Sequence, residues 1–178
     1  MFGLPLSVGT ESECEFIDLR IDKDITPAEV KERLNRHLTP EMQVLEAYEP
    51  TAGFGDVVWA KYELRLKLES ADADLAQRLQ ALYQTPPLYM TKKTKSGEKE
   101  IDITTMIKQI KVIHSEAHPD EIAISAILAA GNTLHLNPEM LITAAKDRLG
   151  ILSGDPTKES YSLLRTHVYL ADGATEFK

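Results

Sequence analysis

Two glutamates near the start of the chain have the residue type and the spacing for acid–base or metal chemistry. Glu13 and Glu15 stand two residues apart in the stretch "ESECEF", just before the alternating pattern of residues 17–21. If a strand through residues 17–21 extends back without a bulge, both carboxylates lie on its apolar face. A charged group there is tolerated only when it is paired, hydrogen-bonded or at a cleft, so Glu13 and Glu15 are candidate catalytic residues. The alternative is a strand that begins at Phe16 or contains a bulge, which leaves both acids in solvent.

A basic run in the middle of the chain is a candidate surface for nucleic acid or for a protein partner. The stretch "MTKKTKSGEKEIDI" has four lysines within eight residues, in a chain whose formal net charge is −8: Lys92, Lys93, Lys95 and Lys99. Such a run can hold phosphate groups, and it can also be the ordinary surface of a β-hairpin.

The turn chemistry of this run predicts which lysines are free. A two-residue hairpin turn at Ser96 and Gly97 predicts three cross-strand pairs: Lys95 with Glu98, Lys93 with Glu100, and Met90 with Ile103. Opposite charges directly across a ladder contribute roughly 0.2 to 1 kcal/mol, so the paired lysines need no ligand. Lys92 and Lys99 remain on the other face, where they form either a weak phosphate site, for example for RNA, or the rim of a protein contact.

An arginine, a cysteine and two histidines also have side chains that could take part in chemistry. On one register Arg165 shares a face with apolar residues of "LLRTHVYL", which makes it either a buried ion-pair partner for an acid or the wet side of an edge strand. Cys14 lies between two glutamates, whose charge keeps a thiol protonated, so we expect it to be inert. His114 and His118 are four apart, as zinc ligands are on a helix, but their context predicts a strand and a turn, and we expect no metal site.

Composition restricts the class of protein. With 28 Asp and Glu against 20 Lys and Arg in 178 residues, broad nonspecific attraction to nucleic acid is disfavoured. Cys14 is the only cysteine, so we expect no internal disulfide and a reducing cytoplasm. The longest apolar run is about half the roughly 18 residues that span a bilayer, which predicts no membrane association. Phosphate-binding glycine loops and serine nucleophile motifs are absent from the sequence, and we expect no cofactor.

Periodicity and capping residues predict three helices, six strands and a β-hairpin. The helices are expected at residues 25–38, 72–85 and 137–150, each with an N-terminal capping residue or early acids. The strands are expected at residues 17–21, 42–48, 57–68, 106–117, 121–131 and 161–170, together with the lysine hairpin at 88–103. Residues 121–131 are nearly all apolar and fit a buried helix as well, but we favour a strand.

The order of these elements predicts an α+β fold. Strands and helices alternate with short connections, which favours ferredoxin-like, split βαβ elements with mostly antiparallel sheets and helices on one face. Pro86 and Pro87 mark the expected division into two small halves, residues 1–85 and residues 86–178, the second of which has the projecting lysine hairpin 88–103.

Several stretches resemble a bacterial family of radical-SAM-linked proteins, classed as a domain of unknown function. The resemblance rests on "LPLSVGTESECEFIDLRI", "KKTKSGEKEIDI" and "NPEMLITAA", and within the first on Gly9, Ser12, Glu13 and Glu15. It implies a protein encoded beside, or fused to, a radical S-adenosylmethionine protein, which would be its partner. Family members carry a further strand and helix before the segment found here at Pro5 and Leu6. Either the start at Met1 is truncated or misassigned, or this member lacks that part, and in the second case the first half would be an incomplete sandwich.

These observations support three hypotheses about function. The favoured one is a noncatalytic accessory or recognition domain that binds RNA or a protein and works with a radical-SAM partner, because the sequence has no catalytic signature. The second is an enzyme that uses a cleft at Glu13 and Glu15 for acid–base or metal chemistry. The third is a structural or dimerisation module, and the sequence leaves homo-oligomerisation open.

Overall fold

A computed structural model describes residues 3–22, 24–94, 97–152, 155 and 157–178. Its strands are β1 (Thr10–Ser12), β2 (Trp59–Lys67), β3 (Tyr89–Thr94), β4 (Gly97–Asp102), β5 (Ile107–His114), β6 (Glu121–Ala129) and β7 (Ser160–Tyr169). Its helices are α1 (Pro27–Asn35), α2 (Ala73–Gln84) and α3 (Glu139–Leu149), with short 3-10 helices at Phe54–Asp56 and Ile103–Met106. None of the helices described has both the length and the apolar character needed to cross a lipid bilayer.

The three helices form where their capping residues predict them. Thr26 and Glu29 make a reciprocal capping box at the start of α1. Asp72 caps α2 by accepting the Leu75 N–H at 2.7 Å. Gly150 ends α3 in the left-handed conformation, at φ 68°, which glycine adopts without strain. The three predicted helices are therefore confirmed, although α1 ends at Asn35 instead of residue 38 and α3 begins at Glu139 instead of residue 137.

A five-stranded sheet forms the centre of the fold, in the order β1-β7-β2-β6-β5. Its pairs are antiparallel except for β1, which runs parallel to β7. The alternation in β2 is realised as predicted, because its even-numbered residues from Ala60 to Leu66 are buried. Residues 121–131 contain β6, as favoured, rather than a helix. The mixed α/β class and the mostly antiparallel sheets are confirmed.

The central sheet crosses the predicted boundary at Pro86 and Pro87. Strand β2 precedes the two prolines, and it pairs with β6 on one side and with β7 on the other. The helices also connect both parts: α2 contacts β5 and α3, and the Tyr83 hydroxyl donates to the Leu141 carbonyl at 3.0 Å. The predicted halves 1–85 and 86–178 each contain strands and helices, and they share one buried core. The division into two halves stays a prediction.

Two predicted strands are not strands in the structure. Apart from a single bridge at Ile17, residues 17–21 and 42–48 are irregular, and their apolar side chains are largely exposed, with Leu45 at 82%. The backbone around residue 44 is hydrogen-bonded to α1 instead of to a neighbouring strand: the Asn35 amide bonds both the N–H and the carbonyl of Val44. An alternating pattern forms a strand only where a partner strand is available. At Val44 the side chain of Asn35 satisfies the backbone groups that a partner strand would otherwise bond.

Candidate anion-binding site

A cavity of about 330 Å³ lies where the N-terminal segment crosses the end of β7 and the loop after β6. Six of the twelve residues that line it are polar: Ser7, Thr10, Tyr62, Asn132, His135 and Arg165. None of the twelve is Asp or Glu, although the chain has 28 of these acids. The wall of the cavity is therefore rich in hydrogen-bond donors and has no carboxylate, which favours an anionic ligand over a cationic one.

Arg165 is the charged group of this cavity. Its side chain is 3% exposed, and its Nη2 lies 2.5 Å from a carboxylate oxygen of Glu15. Its Nη1 donates to the carbonyl of Leu4 at 2.9 Å. Burial opposes the charged form, but the hydrogen bond and the charge of Glu15 outweigh it, so the pKa of Arg165 is raised and the guanidinium stays charged.

Two buried polar atoms at the cavity have no hydrogen-bond partner among the described residues. They are Arg165 Nε and Thr10 Oγ1. The two residues are neighbours because β1 pairs in parallel with β7 at the edge of the sheet. This register sets Thr10 opposite Leu163 and Ser12 opposite Arg165. Leaving a buried donor unpaired costs roughly 1 to 3 kcal/mol, so the fold keeps these two groups at a cost in stability.

Tyr62 and His135 complete the polar wall. Tyr62 lies opposite Arg165 in the β2–β7 pair and is 4% exposed, and burial raises the pKa of its phenol even though Arg165 opposes this. The pKa of His135 is lowered, first by burial and then by the positive charges of Lys92 and Arg165. Both groups are therefore neutral near pH 7, and each can exchange a hydrogen bond with a ligand without changing its charge.

The loop between β6 and α3 presents His135 to the cavity. Ala130 and His135 form an antiparallel bridge, and the Leu136 N–H donates to the Ala129 carbonyl at 2.8 Å, so the loop doubles back on itself. Gly131 fits here because a Cβ would lie only 3.3 Å from the Val57 carbonyl oxygen. Small residues at this turn let the loop pack directly against the backbone that precedes β2.

Lys92 joins the lysine hairpin to this cavity. Its Nζ donates to the carbonyl of His135 at 3.3 Å, and its backbone lies directly opposite Lys99 in the β3–β4 pair. The two lysines therefore share one face of the hairpin. A pair of like charges opposite each other in a ladder is destabilising, in contrast to the opposite-charge pairs that flank most such positions.

The predicted register of the hairpin is wrong, because each described residue of β3 lies opposite a residue of β4 that is two positions earlier than expected. Lys93 lies opposite Glu98, not Glu100, and Met90 lies opposite Ile101, not Ile103. Ile103 is instead fully buried at the start of a 3-10 helix, where its N–H donates to the Leu88 carbonyl at 3.0 Å. The predicted pair of Lys95 with Glu98 lies outside the described residues, as does the side chain of Lys93.

The two candidate glutamates do not form a carboxylate pair facing the core. Glu15 is about half exposed and is the ion-pair partner of Arg165. Glu13 is exposed, and its backbone N–H, rather than its carboxylate, bonds to the carbonyl of Arg165 at 2.9 Å. The prediction that both lie on the apolar face of a strand fails because residues 17–21 form no strand to fix their alternation.

The remaining predicted groups lie away from any cluster of ligands. Burial raises the pKa of the Cys14 thiol, which keeps it protonated beside the Ser12 hydroxyl. His114 Nε2 lies 3.1 Å from the Pro119 carbonyl oxygen, and His118 is in the turn between β5 and β6. Within the described part of the chain, no group of three or more His, Cys, Asp or Glu side chains is placed to hold a metal ion.

A family model described as an uncharacterized protein conserved in bacteria, DUF2344, matches residues 1–138. The chain belongs to this family. Neither the curated proteins nor the solved structures that were searched contain a match. The DUF2344 match includes the N-terminal segment of the cavity, Tyr62 and His135, and it ends just before α3 and β7.

Sequence reasoning did not identify Thr10, Asn132 or His135 as site residues of this DUF2344 member. Thr10 precedes the segment that was interpreted as a strand, and "GNTLH" reads as an ordinary turn. One signal was present: a polar Gly-Asn-Thr turn that directly follows a buried strand and precedes a capped helix is a common place for binding residues. Only the pairing of β1 with β7, about 150 residues apart in sequence, brings Thr10 to Arg165.

Proposed function

We propose that this chain is a recognition domain that binds RNA and works with a radical-SAM protein. The observation that carries the proposal is the position of Lys92 directly opposite Lys99 on one face of the β3–β4 hairpin, beside His135 and the acid-free cavity. The radical-SAM partner rests on the resemblance of the sequence to radical-SAM-linked proteins.

The lysine pair is better explained by a ligand than by stability. Two lysines opposite each other cost a hairpin roughly 0.2 to 1 kcal/mol relative to an opposite-charge pair. Lys99 is exposed, and the hydrogen bond given by Lys92 goes to a backbone carbonyl, not to a carboxylate. An RNA backbone would neutralise both charges, because each phosphate carries one negative charge and lysine binds it as a mobile point charge.

An exposed aromatic ring on the same hairpin favours single-stranded RNA over a duplex. Tyr89 is 51% exposed, and its carbonyl accepts a hydrogen bond from Arg148 Nη2 at 3.3 Å. The base faces of a single strand are free to stack on such rings, whereas those of a duplex are not. By the alternation of β3, Tyr89 lies on the face of the hairpin opposite to Lys92 and Lys99, so a single strand would meet the ring and the lysines only by passing over the edge of the hairpin.

The chain order β2, α2, β5, β6, α3, β7 and the sheet order β7-β2-β6-β5 support the proposal that these elements form a ferredoxin-like, split βαβ arrangement. Strands β3 and β4 are then an insertion into it. A hairpin inserted between α2 and β5 is free to carry a binding surface, because it forms a separate two-stranded sheet.

Binding of a labelled single-stranded RNA of mixed sequence, followed by fluorescence anisotropy at about 50 mM salt, tests the proposal. We expect Lys99→Glu to weaken binding and to lower the dependence of log K on log salt by about 0.7 per lost phosphate contact. Lys111→Glu is the matched control, because Lys111 is exposed on β5 and lies opposite Ser125. No binding by the wild-type protein, or equal loss in both variants, would overturn the proposal.

The enzyme alternative needs both glutamates to act on one substrate. In the structure the Glu15 carboxylate is engaged by Arg165, whereas Glu13 is exposed and is not among the residues that line the cavity. The variant Glu13→Gln separates the two hypotheses: RNA recognition by the hairpin predicts unchanged RNA binding, whereas the enzyme hypothesis predicts a change in metal content or in a measurable activity with the fold intact.

A further inference from the structure

The cavity at Arg165 has features of a binding site in its own right, beyond RNA recognition by the hairpin. Its volume of about 330 Å³ lies within the range of small-molecule pockets, which is roughly 300 to 1,000 Å³. Its polar wall offers the hydroxyl groups of Ser7 and Thr10, the amide of Asn132 and the guanidinium of Arg165. All of these can donate hydrogen bonds to oxygen atoms of a ligand.

The buried guanidinium is only partly satisfied by the protein. Nε–H and Nη2 lie on one edge of the group, the edge that binds the two oxygens of a carboxylate or phosphate in parallel. Nη2 is paired with Glu15, whereas Nε has no partner among the described residues. Thr10 Oγ1, at the same cavity, is likewise buried and unpartnered among them. Both atoms belong to residues that line this one cavity, and both are excluded from solvent.

Part of the cavity lining is apolar. It is formed by Leu4 and Leu6 of the N-terminal segment and by Pro138 at the start of α3. Leu4 adopts a left-handed conformation at φ 50°, which is unfavourable for leucine, and the hydrogen bond from Arg165 Nη1 to its carbonyl holds it there. A ligand in this cavity therefore meets both hydrogen-bond donors and hydrocarbon.

We propose that this cavity binds a small organic molecule through its oxyanion group, a carboxylate or a phosphate, which Arg165 and Thr10 hold in competition with Glu15. The apolar wall takes the hydrocarbon part of the molecule. The site does not use Lys99 or the exposed face of the hairpin, although Lys92 borders it through the His135 carbonyl.

The difference in exposure between the ion-pair partners determines which of them moves. The Glu15 side chain is 48% exposed, so its carboxylate can turn into water, where it is well hydrated. Arg165 is 3% exposed and also donates to the carbonyl of Leu4. Movement of its guanidinium would break this bond without giving the buried charge another partner. An incoming oxyanion therefore replaces Glu15 and gains the unpaired Nε–H as a second donor.

Titration of ¹⁵N-labelled protein with sodium sulfate and, separately, sodium acetate tests this proposal. Sodium chloride holds the ionic strength constant, and the amide signals of Thr10, Asn132 and His135 are followed. We expect a saturable response to at least one oxyanion, and sulfate against acetate distinguishes a tetrahedral from a planar group. We expect binding about tenfold tighter in Glu15→Gln, which removes the competing charge, and unchanged in Glu13→Gln.

Two results would overturn the proposal. One is the absence of any saturable response beyond that of chloride. The other is a dissociation constant for Glu15→Gln that is no tighter than that for Glu13→Gln, since this would place the oxyanion elsewhere or make Glu15 irrelevant to it. The matched control is sound because Glu13 is exposed and bonds to Arg165 only through its backbone N–H.

Discussion

Arg165 and the lysines of the β3–β4 hairpin both border His135, but the fold holds their charges in opposite ways. Arg165 is 3% exposed and is fixed by Glu15 and by the carbonyl of Leu4. Lys99 is exposed, and across the ladder it faces another lysine. One charge is buried and oriented, whereas the other is mobile and repelled by its neighbour.

This difference indicates two modes of binding. A fixed guanidinium with one unpaired N–H selects for the geometry of a single oxyanion and is screened little by salt. Exposed lysines attract any phosphate chain, and salt weakens them strongly. The cavity is therefore suited to recognise one small group, and the hairpin to hold a longer anion. Each prediction below changes one side of this comparison and leaves the other intact.

The largest effect is expected from Arg165→Leu. The variant leaves the Leu4 carbonyl without its donor and removes the ion pair with Glu15, so we expect a loss of about 2 to 4 kcal/mol in the free energy of unfolding. Arg65→Leu is the control, because Arg65 is exposed on β2, and we expect it to change stability by less than about 0.5 kcal/mol. Urea denaturation measures both, and equal effects would show that Arg165 is not held as described.

A smaller effect is expected from Glu15→Gln. The amide keeps a hydrogen bond to Arg165 but leaves the guanidinium without its counter-charge, and the exposure of Glu15 limits the cost to about 1 kcal/mol. Glu13→Gln should leave the urea midpoint unchanged. A loss of stability in Glu13→Gln as large as that in Glu15→Gln would mean that the carboxylate of Glu13 has a structural role that its contacts do not indicate.

Lys99→Glu is expected to change stability and RNA binding in opposite directions. It converts a like-charge pair with Lys92 into an opposite-charge pair, which should stabilise the protein by roughly 0.2 to 1 kcal/mol. The same variant should bind RNA more weakly. Thermal unfolding and anisotropy on one preparation measure both, and a variant that is less stable than the wild type would contradict the observed register.

The smallest effect concerns pH. Because burial, Lys92 and Arg165 lower the pKa of His135 below its ordinary value of 6.5, the unfolded chain binds a proton more readily than the folded one. The contribution of His135 is therefore constant above pH 6.5, and stability falls as the pH drops through that value towards the lower folded pKa. Between about pH 7.5 and pH 5.5, His135→Gln should lose less stability than the wild type. A larger loss in the variant would contradict this sign.

The sequence predicted those elements whose ends or buried face are specified by residues within the element itself. The capping box at Thr26, the glycine at position 150 and the alternation in β2 act locally, and each lies where it was expected. Residues 17–21 alternate in the same way as β2 but form no strand, because alternation indicates only which face would be buried and not whether a partner strand exists.

The site was only partly predictable for the same reason. Arg165 was recognisable because a charge sits among apolar residues of an alternating stretch, and Glu15 because a carboxylate precedes one. Their contact joins positions 150 residues apart, and no local pattern specifies such a pairing. Thr10 and His135 are unremarkable in sequence and become part of the site only through the parallel pair of β1 with β7 and the folded-back loop after β6.

The most direct measurement is the ¹⁵N NMR signal of the Arg165 Nε–H group, assigned by its loss in Arg165→Leu, during titration with sulfate and acetate at constant ionic strength. Because this N–H is buried and unpartnered among the described residues, capture of an oxyanion should shift its signal in a saturable way and slow its exchange with water. A signal that stays in place while amide signals elsewhere respond would contradict oxyanion binding at Arg165.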